Sequence, residues 1–298
     1  MIDIVGRRKW FFLISLCLLV PGIISMLAFG FKLGIDFSSG TVMTLRFSQP
    51  LDQAALRQQM SQLGYGDATI QKTSDGDFLV RTKDINSEQK AALIDGLKKG
   101  LNMDVTIRDF ATVSPLVANE VARNAAIAVL VASIFMILYI AFAFRHMPNP
   151  FRWGFSAVIA LLHDVLIVMG VFSILGWLIG YQVDSMFIVA MLTIVGFAIN
   201  NTCVVYDRIR ENMHKGISKD FATTVNSSIL ETIARCINTS LTVILTCLAL
   251  FLFGGVTIQQ FIMALMIGVL VGIYDSVFVA GPLLVLLERG LKTTPRSA

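Results

Sequence analysis

Long apolar runs separated by short polar segments dominate the pattern of this chain. A bilayer core about 30 Å thick requires roughly 20 apolar residues in helical conformation. Backbone groups in hydrocarbon must also find hydrogen-bond partners within their own helix, so each run predicts a transmembrane helix. The sequence predicts six such helices, over residues 10–31, 124–144, 153–177, 185–206, 230–253 and 258–287.

The first apolar run has two interpretations. The basic segment Arg7-Arg8-Lys9 precedes it, as in a secretory signal peptide. The run is longer than the apolar part of a signal peptide, and Gly30-Phe31-Lys32 is a poor cleavage context. The sequence therefore favours a retained membrane anchor over residues 1–31.

Lysine and arginine are concentrated in alternate loops, which predicts the orientation of the chain. The opposite short loops, 178–184 and 254–257, contain neither residue. The rule places both termini in the cytoplasm and residues 32–118 outside it, with the remaining helices in residues 119–298. The basic residues that carry this prediction are Arg7, Arg8, Lys9, Arg145, Arg152, Arg208, Arg210, Lys215, Lys219, Arg289, Lys292 and Arg296.

Residues 32–118 have the pattern of a soluble domain, with ten acidic and ten basic residues. Alternating apolar positions predict strands and a 3.6-residue period predicts helices. The resulting order βαββαβ predicts a ferredoxin-like α+β domain, a scaffold that names no function by itself. The predicted strands are 41–47, 68–72, 78–82 and 103–107, and the predicted helices are 51–63 and 87–101.

The composition agrees with a helical polytopic membrane protein. Of the 298 residues, 55% are hydrophobic and 15% are charged, whereas soluble domains have about 45–50% and roughly 25%. The net charge of +4 is explained by the cytoplasmic loops, so it does not indicate a nucleic-acid partner. The cysteines lie within apolar runs without metal-type spacing, which predicts buried thiols. They are Cys17, Cys203, Cys236 and Cys247.

The motifs of enzymes are missing from the sequence. There is no His-Glu-x-x-His, no Gly-x-Ser-x-Gly and no phosphate-binding loop. His146, His163 and His214 are far apart in the chain. We therefore expect no catalytic residue, no metal site and no cofactor.

Polar residues inside the predicted helices are the most informative feature, because each costs about 2.5–3.5 kcal/mol to insert on translocon scales. These residues are Asp164, Asn200, Asn201, Arg235 and Asp275. One such residue can simply form a hydrogen bond between helices. Two carboxylates, an arginine and an amide pair in one bundle also suit a proton pathway. Both interpretations remain open.

The segment 207–229, between the fourth and fifth helices, begins with the charged residues Asp207, Arg208, Arg210 and Glu211. Its mixture of apolar and basic residues favours a helix that lies on the membrane face, with its basic residues toward anionic lipid. A surface for a cytoplasmic partner is the alternative.

Several motifs together resemble the SecF family of protein-export membrane proteins over nearly the whole chain. The segment Ile199–Asn212 is similar to the family pattern Ile-Asn-Asp-Thr-x-Val-Val-x-Asp-Arg-Ile-Arg-Glu-Asn, which is the most specific of them. The other segments that carry the resemblance are Gly34–Gly40, Leu162-His163-Asp164, Arg235 with Thr239-Ser240, and Phe253-Gly254-Gly255.

The resemblance implies half of a transporter of the resistance–nodulation–division type, with SecD supplying the other half. It implies a proton-gradient-assisted role in moving preproteins across the bacterial cytoplasmic membrane, and no enzyme activity. The implied partners are SecD, the SecYEG channel, YajC, the translocating preprotein and membrane lipid. Gly34, Asp36 and Gly40 would form the connection on which the external domain swings, or a plain turn into the first strand.

Three departures from the family pattern affect the implied site. Asn201 occupies the position of an aspartate thought to carry the proton together with the arginine at position 235, and an amide cannot titrate. Ser39 replaces the first glycine of a pair. Asp275 stands where the family has a small hydroxyl residue, and we hypothesise that it takes over the proton. That hypothesis requires Asp275 within one water-bridged contact of Asn201 and Arg235. Alternatively, asparagine was introduced at position 201 to hold the protein in one state, or it marks a natural variant that does not use protons.

Two other functions compete with protein export. A half-transporter that exports lipid or small molecules predicts a wide apolar cleft open to the bilayer and a homo-oligomer. A membrane-embedded hydrolase predicts that Asp164 and Asp275 face each other around a water-accessible cavity.

Overall fold

The computed structural model describes residues 2–73, 75–145, 147 and 149–289. His146, Lys292 and Arg296, which figured in the sequence-based expectations, lie outside this part of the chain. The structure divides into two compact units, one of residues up to Lys32 and from Ile127 onward, the other of Leu33–Ala126.

The elements follow one another as α1 (Arg8–Phe29), α2 (Ile35–Ser38), β1 (Gly40–Phe47), α3 (Gln53–Gln62), β2 (Thr69–Lys72), β3 (Phe78–Thr82), α4 (Ser87–Leu101), β4 (Val105–Val113), α5 (Pro115–Ala143), α6 (Pro150–Ile179), α7 (Ser185–Lys215), α8 (Phe221–Phe253), α9 (Val256–Asp275), a π-helix (Ser276–Ala280) and α10 (Gly281–Arg289).

Six helical segments are long and apolar enough to cross a membrane, which confirms the predicted number. They are α1, α5, α6, α7, α8 and the segment Ile258–Glu288, which combines α9, the π-helix and α10. Several of the observed helices extend beyond the apolar runs: α5 begins at Pro115 and α7 ends at Lys215. The protein is a multi-pass membrane protein.

The separate helix expected over residues 207–229 is not formed. Helix α7 continues through Lys215, where Glu211 pairs with Lys215 at 2.6 Å one turn away. Gly216 ends α7 in the left-handed conformation, and the Asp220 carboxylate caps α8 by accepting from the Thr223 amide at 3.0 Å. Local charge pairing and two caps therefore replace the expected interfacial helix by a tight turn between two long helices.

Helices α6, α7 and α9 form the centre of the bundle, and α1 packs against α6 through small residues. Gly22 and Gly170 face each other so closely that a Cβ built on Gly170 would lie 2.6 Å from the Gly22 Cα. One turn further along, the hydroxyls of Ser25 and Ser173 are hydrogen-bonded at 2.9 Å. Small residues are what lets helix backbones approach in lipid.

Helix α5 is the least buried of the six membrane helices. An apolar cleft of about 620 Å³ separates its second half from the start of α6. A second cleft, of about 400 Å³, lies between α5 and helices α6 and α7. Two of the thiols, Cys236 and Cys247, are buried, but Cys17 is exposed on α1, so the expectation of buried cysteines fails there.

The unit Leu33–Ala126 contains the predicted ferredoxin-like domain. Its four strands form an antiparallel sheet in the order β2-β3-β1-β4, with α3 and α4 packed on it. The fourth strand is longer than predicted, because β4 pairs with all of β1 from Gly40↔Val113 to Phe47↔Val105. As an edge strand, β4 is exposed over much of its length, so its apolar alternation is weak beyond Ile107.

The connection Gly34–Gly40 contains a strained residue. One helical turn, α2, is followed by Ser39 at φ 60° and ψ 170° and by Gly40 at φ 123°. The conformation of Ser39 belongs to a region that is essentially restricted to glycine. Position 40 requires a residue without a side chain, because a Cβ there would lie 2.6 Å from the Thr82 carbonyl oxygen.

Replacing Ser39 by glycine should stabilise the ferredoxin-like domain by about 1 kcal/mol, since removing a strain of about 1–3 kcal/mol outweighs roughly 0.5–1 kcal/mol of backbone entropy. Hydrogen exchange of the β1 amides in the purified chain should then be slower. In Gly40→Ala, hydrogen exchange of the β1 amides should be faster than in the unchanged chain. Equal or faster exchange in Ser39→Gly would show that the residue is not strained.

Replacing Gly170 by alanine should destabilise the bundle by about 1–3 kcal/mol, because the added methyl group forces α1 and α6 apart. Thermal unfolding of the chain in detergent measures the effect. Gly196→Ala in α7 is a matched control, because a Cβ there meets nothing within 4 Å. Its melting temperature should stay the same or rise, and an equal loss in both variants would contradict the proposed helix contact.

Candidate functional site

The last membrane segment is interrupted at its most polar point. Helix α9 ends at Asp275, and the five residues Ser276–Ala280 form a π-helix before α10 begins. The Ser276 hydroxyl donates to the Gly272 carbonyl at 2.7 Å and lies 3.3 Å from the Thr202 hydroxyl of α7. Short π-helical segments are rare and are frequently found at functional sites.

Asp275 lies in a buried cluster with two consecutive residues of α6, His163 and Asp164. The His163 Nδ1 is 3.3 Å from one Asp275 carboxylate oxygen and 3.5 Å from one Asp164 carboxylate oxygen. The side chains of both aspartates are 1% exposed and that of His163 is 7% exposed. We call these three residues the His–Asp–Asp cluster.

The cluster has unused hydrogen-bonding capacity. Within the described part of the chain, His163 Nε2, Asp164 Oδ2 and Asp275 Oδ1 are buried without a hydrogen-bond partner. Buried polar atoms are seldom left in this state, because each costs about 1–3 kcal/mol or more when charged. The imidazole lies over the ring of Tyr274, whose hydroxyl donates to the Phe11 carbonyl of α1 at 2.6 Å.

The three ligand-type atoms of the cluster lie within 4.8 Å of one another, so the residues present are types that can hold a metal ion. The sequence suggested the pairing of Asp164 with Asp275 only under the hydrolase alternative, and it did not suggest His163 as the third member. Asp164 and Asp275 are more than a hundred residues apart, and His163 was set aside as one of three scattered histidines. The only sequence signal for His163 is its position beside a carboxylate within an apolar run.

Among the described residues, neither Asn201 nor Arg235 makes a hydrogen bond or ion pair with the cluster. The buried Asn201 Nδ2 donates to the Ser240 hydroxyl of α8 at 3.3 Å. Arg235 is exposed on α8 and makes no ion pair or hydrogen bond with any residue the structure describes. The structure groups Asp275 with His163 and Asp164, and the hypothesis of a water-bridged contact from Asp275 to Asn201 and Arg235 stays a prediction.

The charged segment at the end of α7 joins that helix to α8. Arg208 pairs with Glu211 at 2.5 Å and with Glu231 of α8. The Asn212 amide donates to Glu231 at 2.9 Å and to the Ser228 hydroxyl at 3.0 Å. The pair Arg210–Asp207 is formed within the helix. These contacts give the segment a structural role that the sequence analysis did not foresee, because Glu231 lies in the following helix.

Replacing Glu231 by glutamine should loosen the α7–α8 turn, since Arg208 would lose one of its two carboxylate partners. The loss should be small, because exposed ion pairs contribute little to stability. Trypsin cleavage at Lys215 and Lys219 in the folded chain measures the effect. Cleavage should be faster than in the control Asp109→Asn, and an unchanged rate would show that Asn212 alone holds the two helices.

Six membrane helices with a ferredoxin-like domain after the first, and a polar cluster buried among the helices, define a multi-pass membrane protein with one α+β domain. A sequence profile for the C-terminal region of the protein-export membrane proteins SecD and SecF matches residues 94–290, and a profile for the SecD/SecF GG motif matches residues 24–51. The chain belongs to the SecD/SecF family, on the SecF side.

Relatives extend over almost the whole chain. The protein translocase subunit SecF of Thermobaculum terrenum is 43% identical, covering 97% of this chain and 95% of that protein. The corresponding subunit of Anaerolinea thermophila is 40% identical over the same shares.

Solved structures of SecDF also resemble this chain. The crystal structure of SecDF from Thermus thermophilus, described as a translocon-associated membrane protein, superposes with a TM-score of 0.85 at 33% identity over 97% of this chain. A super-membrane-facing form of SecDF gives a TM-score of 0.69 at 32% identity. The chain spans 39% of the length of these SecDF chains.

Proposed function

We propose that the chain is the SecF subunit of a SecD–SecF complex that assists preprotein translocation across the bacterial cytoplasmic membrane. The observation that carries the proposal is the agreement of the entire chain, membrane helices and external domain alike, with SecDF. The relatives that match its full length are translocase subunits. No catalytic step is part of the proposal.

Arg235 supports the need for a partner. An arginine that is exposed on a membrane helix, and that has no counter-charge among the described residues, is costly in lipid. Because the chain spans 39% of SecDF, we propose that the SecD half covers this face of α8 and supplies the missing acceptor. SecYEG, YajC, the preprotein and lipid complete the proposed set of partners.

The proposed orientation follows the distribution of basic residues, with both termini and the α7–α8 turn in the cytoplasm. Residues 32–118 would then face the outside, where a translocating chain emerges. We propose that Gly34, Asp36 and Gly40 provide the connection between the first membrane helix and this domain. The strained Ser39 within it would restrict the movement relative to a glycine pair.

The proposed energy source is the proton gradient, acting on polar residues within the membrane. The candidates are Asp164, Asn201, Arg235 and Asp275, of which Asn201 has no proton to exchange. It holds Ser240 by a hydrogen bond, which is a packing role between α7 and α8.

The rival functions have weaker support. The apolar clefts beside α5 fit a lipid or small-molecule transporter in shape, but the relatives are translocase subunits. A hydrolase would need water at Asp164 and Asp275. Neither aspartate lines either of the clefts beside α5.

Translocation of a preprotein into inverted membrane vesicles tests the proposed function. Vesicles that lack their own SecD and SecF should regain gradient-stimulated translocation when this chain and its SecD are supplied, and an uncoupler should remove the stimulation. No stimulation by the pair would overturn the proposal.

The same assay tests position 201. Asn201→Asp should match the unchanged chain within about twofold, a difference of less than about 0.5 kcal/mol, because the coupling does not use this position. A large gain in gradient dependence with Asn201→Asp would show instead that the asparagine has blocked the coupling site. Ser240→Ala, which removes the hydrogen-bond partner of Asn201, is the control for altered packing.

A further inference from the structure

We propose that the His–Asp–Asp cluster is the site where the coupling proton binds in this chain, so that the proton is carried by α6 and α9 and not at position 201. The inference rests on the proposed use of a proton gradient. It assigns the site to His163, Asp164 and Asp275, of which His163 was not among the candidates.

The first argument is geometric. One imidazole nitrogen lies 3.3 Å and 3.5 Å from two carboxylates that belong to different helices. A small side-chain movement brings either contact to normal hydrogen-bond length. His163 can therefore pass a proton between Asp164 on its own helix and Asp275 on α9.

The second argument is the charge balance. Two ionised carboxylates and a neutral imidazole would place two negative charges in a site that is at most 7% exposed. An uncompensated buried ion costs several kcal/mol. Two protons, one on the imidazole and one on a carboxylate, make the cluster neutral. Release of one proton to water restores a net charge, so it is favourable only when the site opens to solvent.

Among the described residues, the surroundings of the cluster supply no other counter-charge. The other titratable groups close to Asp275 are the phenols of Tyr274 on α9 and Tyr206 on α7. Helix α1 contributes the Phe11 carbonyl and the Ser15 hydroxyl, both of which contact Tyr274. Among the described residues, no lysine or arginine forms an ion pair with Asp164 or Asp275. Bound protons are therefore what can neutralise the carboxylates of Asp164 and Asp275.

A π-helix begins directly after Asp275 and allows the segment to change its conformation next to the cluster. A π-helical turn holds one residue more than an α-helical turn. Its conversion to regular α-helix would rotate α9 relative to α10 by roughly 100°, the angle of one residue in a 3.6-residue turn. Such a rotation would separate Asp275 from His163. The segment thus offers a second arrangement that proton binding can favour or disfavour.

A proton suits the cluster better than a metal ion. Calcium takes six to eight oxygen ligands and magnesium prefers six, whereas the cluster offers two carboxylates and one nitrogen. Zinc takes four ligands, of which one can be water, so the three described residues could hold zinc only where water also reaches this almost fully buried site. A metal ion is therefore an outcome of the test and not the proposal.

The test uses the complex of this chain with SecD in the vesicle assay. Asp164→Asn, Asp275→Asn and His163→Gln should each lose the gradient-stimulated part of translocation and keep the part that needs no gradient. Asp275→Glu, which keeps a carboxyl group, should retain stimulation. Asp184→Asn is the matched control, because Asp184 caps α7 by accepting from the Phe187 amide at 2.8 Å and asparagine caps equally well.

The outcomes separate the two proposals. If the unchanged complex shows no gradient stimulation, the proposed function fails. If the unchanged complex is stimulated and Asp275→Asn is stimulated equally, the proton site is wrong while the function stands. Loss of stimulation in Asp184→Asn as well would also overturn the site, because the effect would then not be specific to the cluster.

Infrared difference spectra of the purified complex during a pH change provide a readout that does not depend on transport. The carbonyl band of a protonated buried carboxylic acid should appear in the unchanged complex and be missing in Asp164→Asn or Asp275→Asn variants with an unchanged melting temperature. A band that persists in both variants would overturn the proposal. So would a band that disappears when Zn²⁺ or Na⁺ is added at constant pH.

Discussion

The high cost of an unpaired charge in a low-dielectric environment is the constraint on which this structure depends. Three sites in the chain show the effect of this constraint, two with paired charges and one with an arginine that lacks a partner among the described residues. At the membrane edge, Arg208 and Glu211 pair with each other and reach Glu231 across the turn. In the bundle, His163 lies between two carboxylates that are almost fully buried. On α8, Arg235 is exposed and has no ion pair with any described residue, and we proposed above that SecD supplies its counter-charge.

The sequence predicts those parts of the fold that follow from local periodicity. The six apolar runs and the βαββαβ order each depend on residues close together in the chain, and both were found. The end of α7 was missed because its continuation depends on Glu211 pairing with Lys215 and on caps at Gly216 and Asp220. These short-range interactions compete with the amphipathic pattern that suggested a surface helix.

The candidate site was only partly predictable. The position of Asp164 and Asp275 within apolar runs marked them as unusual, because a buried carboxylate has a known cost. Their meeting at His163 depends on how α6 crosses α9, and no periodicity contains that information. The π-helix after Asp275 is equally invisible in the sequence. The resemblance to the family directs attention to position 201 on α7. The two buried aspartates of the bundle, however, are on α6 and α9.

The contact between Gly22 and Gly170 couples two parts of the bundle mechanically. With no side chains between the two backbones, and with the Ser173 hydroxyl donating to the Gly30 carbonyl at 2.8 Å, α1 has no room to slide or turn on α6. Gly170 is two turns along α6 from His163. A displacement of α1 would therefore move α6 with it as one body, so the position of the first helix and that of His163 are mechanically linked.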